Sequence, residues 1–353
     1  MKILTGHKRL PVNKKILFLI LACLLIVSCI FLLPLLHTDT IISPPAPVLR
    51  PANETSYHDF KDTRSGKCLK DYFEDILLII IYHFPFYESI PMLLSFYNET
   101  FKDILICGPK PYSNHYIMVV DFDRGRFGYE CIAEAIRRYP GYRGYLHTND
   151  DVIANWWTFC KLDKEKFWWG SKIFKEKCHI MGSRPIPDDW PWWSRAIPTA
   201  KSCEHSYAEI TQTNPLDKYI NTAKMIRTHL VNGGGLKLCF RTWSDLFYVP
   251  KRFSVQFEKL SRVFRKNEVF LEAAVPTIMS LLDYQDNWEM HFGLYLPDKY
   301  GHLEFADGKL IWESYTHDMN FIHPVKFHGP IAKRNREVLE TDIIPYSKQF
   351  TKC

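Results

Sequence analysis

No Cys-x-x-Cys pair and no His-Glu-x-x-His pattern occurs in the 353 residues, so a zinc finger or zinc protease finds no ligands at its usual spacing. No Gly-x-x-x-x-Gly-Lys-Ser/Thr loop is present either, which leaves P-loop phosphate chemistry unsupported. Internal repeats are missing. So is a basic surplus beyond the first residues: the formal charge is +6, but setting aside Lys2, Lys8, Arg9, Lys14 and Lys15 leaves 40 Lys+Arg against 39 Asp+Glu from residue 37 on. A nucleic-acid binder is expected to carry a basic stripe, and that class is disfavoured.

Charge is also missing from Ile16 to Leu36, a run of 21 apolar or small residues. At 1.5 Å per helical residue it covers a hydrocarbon core of roughly 30 Å. The five basic residues before it predict a cytosolic tail (1–15), a signal anchor (16–36) and export of the remainder. It is longer than the apolar part of a cleaved signal peptide, and no small-x-small site follows it. Residues 37–70, with Ser43-Pro44-Pro45-Ala46-Pro47 and Pro51, read as an extended stem.

In an oxidising lumen the eight cysteines beyond the anchor allow up to four disulfides, with pairing unreadable among 105 possibilities. Cys107 and Cys131 lie in or beside apolar runs and read equally as buried free thiols. Asn53-Glu54-Thr55 and Asn98-Glu99-Thr100 become glycosylation acceptors there.

From 71 to 353 the chain is rich in aromatic and aliphatic residues, enough for one large domain. Strand-like runs at Asp75–Tyr82, Asp103–Cys107, Tyr116–Asp121 and Gly144–Thr148 alternate with helical patterns at Tyr87–Tyr97 and Phe127–Tyr139. That alternation predicts an α/β fold, a Rossmann-type mixed sheet with flanking helices. The Gly144–Thr148 run empties into Asn149-Asp150-Asp151. Carboxylates at the carboxyl edge of an open α/β sheet stand where such sheets bind ligands, and they suit Mn²⁺ or Mg²⁺ completed by substrate phosphates.

This arrangement resembles the GT-A class of glycosyltransferases, mostly type II Golgi membrane proteins. The resemblance implies a donor nucleotide half (71–155) and an acceptor half (156–353). It also implies an Asp-x-Asp-type motif holding metal and diphosphate, with Asp151 on the metal and Asn149 or Asp150 toward ribose or sugar. Asn149 departs from the pattern, which often has an acid first. Asp121-Phe122-Asp123 matches the motif literally but comes one βα unit early. With Arg124-Gly125-Arg126 it resembles the turn that lies against the donor.

Further along, Asn232-Gly233-Gly234-Gly235 precedes an aromatic run, Trp243–Val249, with Pro250 expected as a helix stop. The resemblance implies an acceptor role for Gly233 and Gly234, against a plain turn. Glu268 and Glu272, four apart, are expected on one helical face. Glu272 lies among apolar neighbours that raise a carboxyl pKa toward that of a general base. In Phe321–Gly329, His323 is the expected late metal ligand, and Lys326 suits diphosphate charge. Seven of the ten Trp fall between 156 and 193. Most are expected in the core, with one or two, Trp190 for example, lining an acceptor groove beside Asp188 and Asp189.

The function expected is a divalent-metal-dependent glycosyltransferase, taking sugar from a nucleotide diphosphate sugar to a glycan, glycoprotein or glycolipid. The alternatives are a luminal carbohydrate-binding or assembly protein without turnover, and a luminal transferase of another group.

Overall fold

The computed structural model describes residues 69–183, 199–212, 221–296, 309–329 and 331–351. The 16–36 run, stem residues 37–68, Asn53, Asp188, Asp189 and Trp190 lie outside them, while Leu69 and Lys70, expected in the extended stem, open a short helix, Leu69–Phe73. Among the described residues no helix is long and apolar enough to cross a membrane.

Strand β1 (Ile76–Ile81) is six aliphatic residues, all buried. Successive side chains of a strand point to opposite faces. Leu77, Ile79 and Ile81 accordingly enter one core, and Ile76, Leu78, Ile80 and Tyr82 another. A strand apolar on both sides must be covered on both sides. Helix α1 (Ile90–Tyr97) contributes to the second core, and α2 (Tyr129–Arg138) to the first.

Parallel pairing joins β1 to β2 (Asp103–Gly108) and to β4 (Gly144–Asn149). β3 (Met118–Val119) adds to β2 in parallel. Only these two residues of the expected Tyr116–Asp121 strand are paired, and Val119 is already 46% exposed at the sheet edge. The minor strands β5 (Ile153–Ala154), β6 (Trp168–Trp169), β7 (His179–Ile180) and β8 (Leu238–Cys239) follow. On the other side of β4 runs β9 (Leu246–Pro250), antiparallel, with β6 and then β10 (Glu289–Met290) beyond it. The two halves expected from sequence therefore share one seven-stranded sheet, mixed and largely parallel.

Pro250 is the first correction. It closes a strand and caps the start of helix α5 (Lys251–Lys266), defined after α3 (Thr199–Gln212) and α4 (Thr222–Asn232). A proline with extended backbone (φ −71°, ψ 152°) sacrifices no helical hydrogen bond at that position, so it opens a helix where a stop was expected. Glu268 is the second. It has φ 58° in the turn between α5 and α6 (Leu271–Leu282), so it shares no helical face with Glu272.

The cysteines supply the third correction. Cys107 at the end of β2 is bonded to Cys131 in α2 (Cα–Cα 6.2 Å), and Cys203 in α3 to Cys239 in β8 (6.1 Å). Cys107 and Cys131 are not free thiols. The bridges are separated by 24 and 36 residues in sequence, so reduction should cost about 3–4 kcal/mol each by the loop-entropy relation. Thermal unfolding with and without a phosphine reductant measures this, and an unchanged midpoint would remove their structural role.

Three buried imidazoles add a pH dependence. Burial pushes His147 and His291 down to about 3 and His229 to about 4, from 6.5. Below 6.5 the unfolded chain binds protons that the folded one refuses, so stability is lost as pH falls through that window. At one pKa unit per 1.36 kcal/mol, each histidine withdraws about 2 kcal/mol by pH 5. Glu130, raised by burial to about 7, gains in the same direction and offsets about one of the three. Between pH 7 and pH 5 in urea unfolding, His291→Phe should therefore lose about 2 kcal/mol less than the wild type, and an equal loss would mean that the ring is hydrated.

Candidate functional site

Strand direction builds the site. β1 and β4 are parallel, so both end at one edge, where His83 follows β1 and Asp150-Asp151 follow β4. β9 is antiparallel to β4, with Leu246 opposite Thr148, so Asp245 enters the sheet at that same edge. The Asn149 amide N–H donates to the Asp245 carbonyl (3.1 Å), and the Asn149 side-chain Nδ2 donates to Asp245 Oδ1 (2.7 Å). Asn149 is buried, and its Oδ1 lies 3.2 Å from His147 Nε2. Its amide is thus spent on holding Asp245.

The fourth contribution arrives from far along the chain. β12 (Phe321–His323) lies in a small sheet with β11 (Leu294–Tyr295) and pairs antiparallel with β5, Ile322 opposite Ile153. The Val325 N–H donates to the Asp151 carbonyl (2.6 Å), which brings His323 and Lys326 onto the acidic pair. His323 Nε2 sits 3.5 Å from Asp151 Oδ1 and 3.4 Å from Asp245 Oδ1, and Lys326 Nζ donates to Asp151 Oδ2.

Burial opposes charge on Asp151, His323 and Lys326, and their mutual attraction overcomes it. For Asp151, burial works against ionisation, but Lys326 and His323 hold its carboxyl well below the usual range. Burial and the neighbouring Asp151 charge push Asp150 well above it. Burial would lower His323, yet Asp245 and Asp151 raise it to about 9, so its imidazole is a cation at neutral pH. Lys326 is held charged by Asp151 against its burial. The cluster is an ionised Asp151 between two cations, with Asp150, whose carboxyl is held less acidic than usual, beside it.

Beside the cluster opens a cleft of about 400 Å³, lined among others by His83, Asp123, Arg124, Arg126, Asp245 and Glu272. Asp123, Arg124 and Gly125 all have positive φ (41°, 55°, 87°). Gly125 packs on His83, where an added Cβ would come within 2.6 Å of the ring. Arg126 donates to Asp123, while Arg124 is exposed and has no ion pair among the described residues. His83 Nε2 is buried without a hydrogen-bond partner among the described atoms, and burial lowers its pKa. The Leu271 N–H donates to the Arg126 carbonyl (2.8 Å) and the Thr242 N–H to that of Glu272 (3.0 Å), which fixes the first turn of α6 as the far wall.

The sequence-predicted residues therefore fall into two groups. Asp150, Asp151, His323 and Lys326 meet in the cluster, and Asp123, Arg124, Arg126 and Glu272 meet in the cleft, with Asp245 common to both. Asp121 is exposed and does not line the cleft, although its Oδ1 accepts from the Asp123 N–H (3.4 Å). Gly233 and Gly234 close α4, where Asn232 donates to the Ser280 and Asp283 carbonyls at the far end of α6. They stand roughly 15 Å along that helix from Glu272 at 1.5 Å per residue. Asn98 is exposed at the end of α1, whereas Thr100 of the same sequon is buried. Trp156, Trp157, Trp168 and Trp169 are buried and line no groove.

The sequence reading missed Asp245 and His83. Asp245 stands just before an apolar run, a signal that becomes visible only once that run is known to be an antiparallel strand. Among the described residues no group of three or more His, Cys, Asp or Glu is placed to hold a metal ion, so a cation here would draw its remaining ligands from substrate phosphates and water. Asp151 is engaged by Lys326 and His323, and a cation would have to compete with the ammonium for that carboxylate.

No family model matches the chain. It is 24% identical over 221 residues to the probable glycosyltransferases STELLO1 and STELLO2 of Arabidopsis thaliana. The match covers 63% of this chain and 26% of each plant protein, so the chain spans about a quarter of the length of these relatives. The likeness, together with the mixed α/β sheet and a charged cleft at its carboxyl edge, supports a glycosyltransferase-like protein.

Proposed function

We propose that the protein transfers a sugar from a nucleotide diphosphate sugar to a glycan, glycoprotein or glycolipid acceptor. The observation that carries this reading is the convergence of Asp151, Asp245, His323 and Lys326 on the sheet edge beside a cleft containing Arg124 and Glu272. Arg124, Lys326 and the His323 imidazolium supply positive charge for a diphosphate, whose charge grows as the sugar leaves. Glu272, on the opposite wall, is the candidate base for the acceptor hydroxyl. Two disulfides and the uncharged 16–36 run support a single-pass anchor with this domain in an oxidising lumen, of which the Golgi is the compartment proposed.

The expected Mn²⁺ or Mg²⁺ dependence becomes an arm of the test. The full-length chain in detergent is offered a panel of nucleotide diphosphate sugars, with Mn²⁺, with Mg²⁺ and with chelator. Hydrolysis or transfer with one donor supports the reading. Metal-stimulated turnover would mean that a cation displaces Lys326 from Asp151. The engaged Asp151 favours one second reading, a carbohydrate-binding protein of this fold without turnover. Binding of donor or glycan with no hydrolysis of any donor would favour it.

A further inference from the structure

Only one tryptophan among the described residues is exposed, and it lies beside the cleft. Trp243 is 49% exposed, while Trp156, Trp157, Trp168, Trp169 and Trp288 are buried. The segment Thr242–Asp245 alternates. Thr242 and Ser244 are buried; Trp243 and Asp245 point the other way. The ring on which the indole stacks, Tyr295, lies close enough to Asp245 and Glu272 for both carboxylates to act on its hydroxyl, which puts the indole beside the carboxylate shared by cleft and cluster.

The segment is fixed at both ends. Thr242 Oγ1 donates to Ser171 Oγ (2.6 Å) and the Thr242 N–H to the Glu272 carbonyl (3.0 Å), while Asp245 is held by Asn149. The indole itself is backed by Tyr295, ring centroids 4.5 Å apart and 24° from parallel, and Tyr295 in turn lies 5.5 Å from the His323 ring. An aromatic face held rigid from behind and left open in front is not core packing.

From this placement we propose that Trp243 is the acceptor subsite, with the apolar C–H face of a pyranose ring stacked on the indole and its hydroxyls turned toward Asp245 and Glu272. The proposal rests on the glycosyltransferase reading and names the chemical class of its acceptor end. A pyranose has an apolar face and a hydroxyl rim, and this corner offers an aromatic plate beside two carboxylates, so the complementarity is specific to that ligand class.

The test uses the full-length chain in detergent and saturation-transfer NMR, with the methyl pyranosides of glucose, galactose, mannose, xylose and N-acetylglucosamine as probes. Binding of at least one pyranoside is expected, weakened about tenfold in Trp243→Ala, the loss set by about 1.4 kcal/mol. It should be retained within about threefold in Trp243→Phe and unchanged in Leu236→Ala, an exposed apolar residue in the glycine-loop segment. Equal binding in the Ala variant, or no binding of any pyranoside, overturns the subsite. Donor hydrolysis by the wild-type chain is read separately. If it occurs while Trp243→Ala binds normally, only this inference fails, and if it is absent while Trp243→Ala loses the sugar, the transferase reading fails and the subsite stands.

Discussion

Asp151→Ala should lower donor turnover by about 10²–10³ and destabilise the protein together. The carboxylate lies between Lys326 and His323 with little exposure, and its removal takes the partner from Lys326, whose side chain is 44% exposed, and one of two partners from His323, which keeps Asp245. Deleting one partner of a fully buried pair costs about 3–5 kcal/mol, and the exposure of Lys326 places the loss here at or below the lower end of that range. Its position at a sheet edge suggests a dispensable side chain, and the packing of Val325 and Lys326 against it says otherwise. Loss of the organised charges should lower kcat/KM by about 10²–10³. Asp123→Ala removes only a partly exposed pair with Arg126, worth about 0–1 kcal/mol, and should do far less to stability. The double variant Asp151→Asn, Lys326→Met separates the two effects, since neutralising both partners should recover most of the stability and none of the turnover. Thermal unfolding and calorimetric titration of a nucleoside diphosphate, with and without Mn²⁺, give both readouts. Binding that survives in Asp151→Ala and fails in Asp123→Ala would move the donor site to the earlier acidic pair.

Glu272→Gln should depress kcat by about 10²–10⁴ with donor affinity unchanged, the signature of a lost proton transfer in the transition state. The placement of Glu272 supports this. It opens α6, faces the cleft, and its backbone is fixed by Thr242. An acid in the first helical turn also gains from the helix dipole, about 0.3–1 kcal/mol, so part of its presence is structural. Asp245 is the rival base on the opposite wall, and Asp245→Asn belongs in the same series. If Asp245→Asn lowers kcat and Glu272→Gln does not, the proton goes to Asp245.

How much of this was legible follows from sequence distance. β1, α1, β2, α2 and β4 carry their signal locally, in aliphatic runs and helical spacing, and each lies where its pattern put it. The acidic pair at the end of β4 was readable for the same reason, since a strand's carboxyl end fixes which edge its last residues reach. Asp245 was not readable, because its address depends on the antiparallel direction of β9. Pro250 misled because a proline stops one helix and opens another with equal ease. Glu268 failed because four-residue spacing means a shared face only if no turn intervenes. Cys107 and Cys131 each sit in an apolar run, and only the packing of α2 on β2 brings their sulfurs together. Most of the Trp cluster was expected in the core, and Trp156, Trp157, Trp168 and Trp169 lie there, because rings that large are buried wherever the chain can cover them.

The pairing of β12 with β5 bears on the order in which the protein is made. During synthesis from the N-terminus, Asp150 and Asp151 leave the ribosome about 170 residues before His323 and Lys326, judged from their numbers, at roughly 5–20 residues per second. For that interval the nascent sheet carries two adjacent acids without their cations. The cluster can close only when the last stretch of chain folds back over the first. A ribosome that stalls or a message that ends before residue 321 would therefore yield every strand of the central sheet without the cations that pair with Asp151.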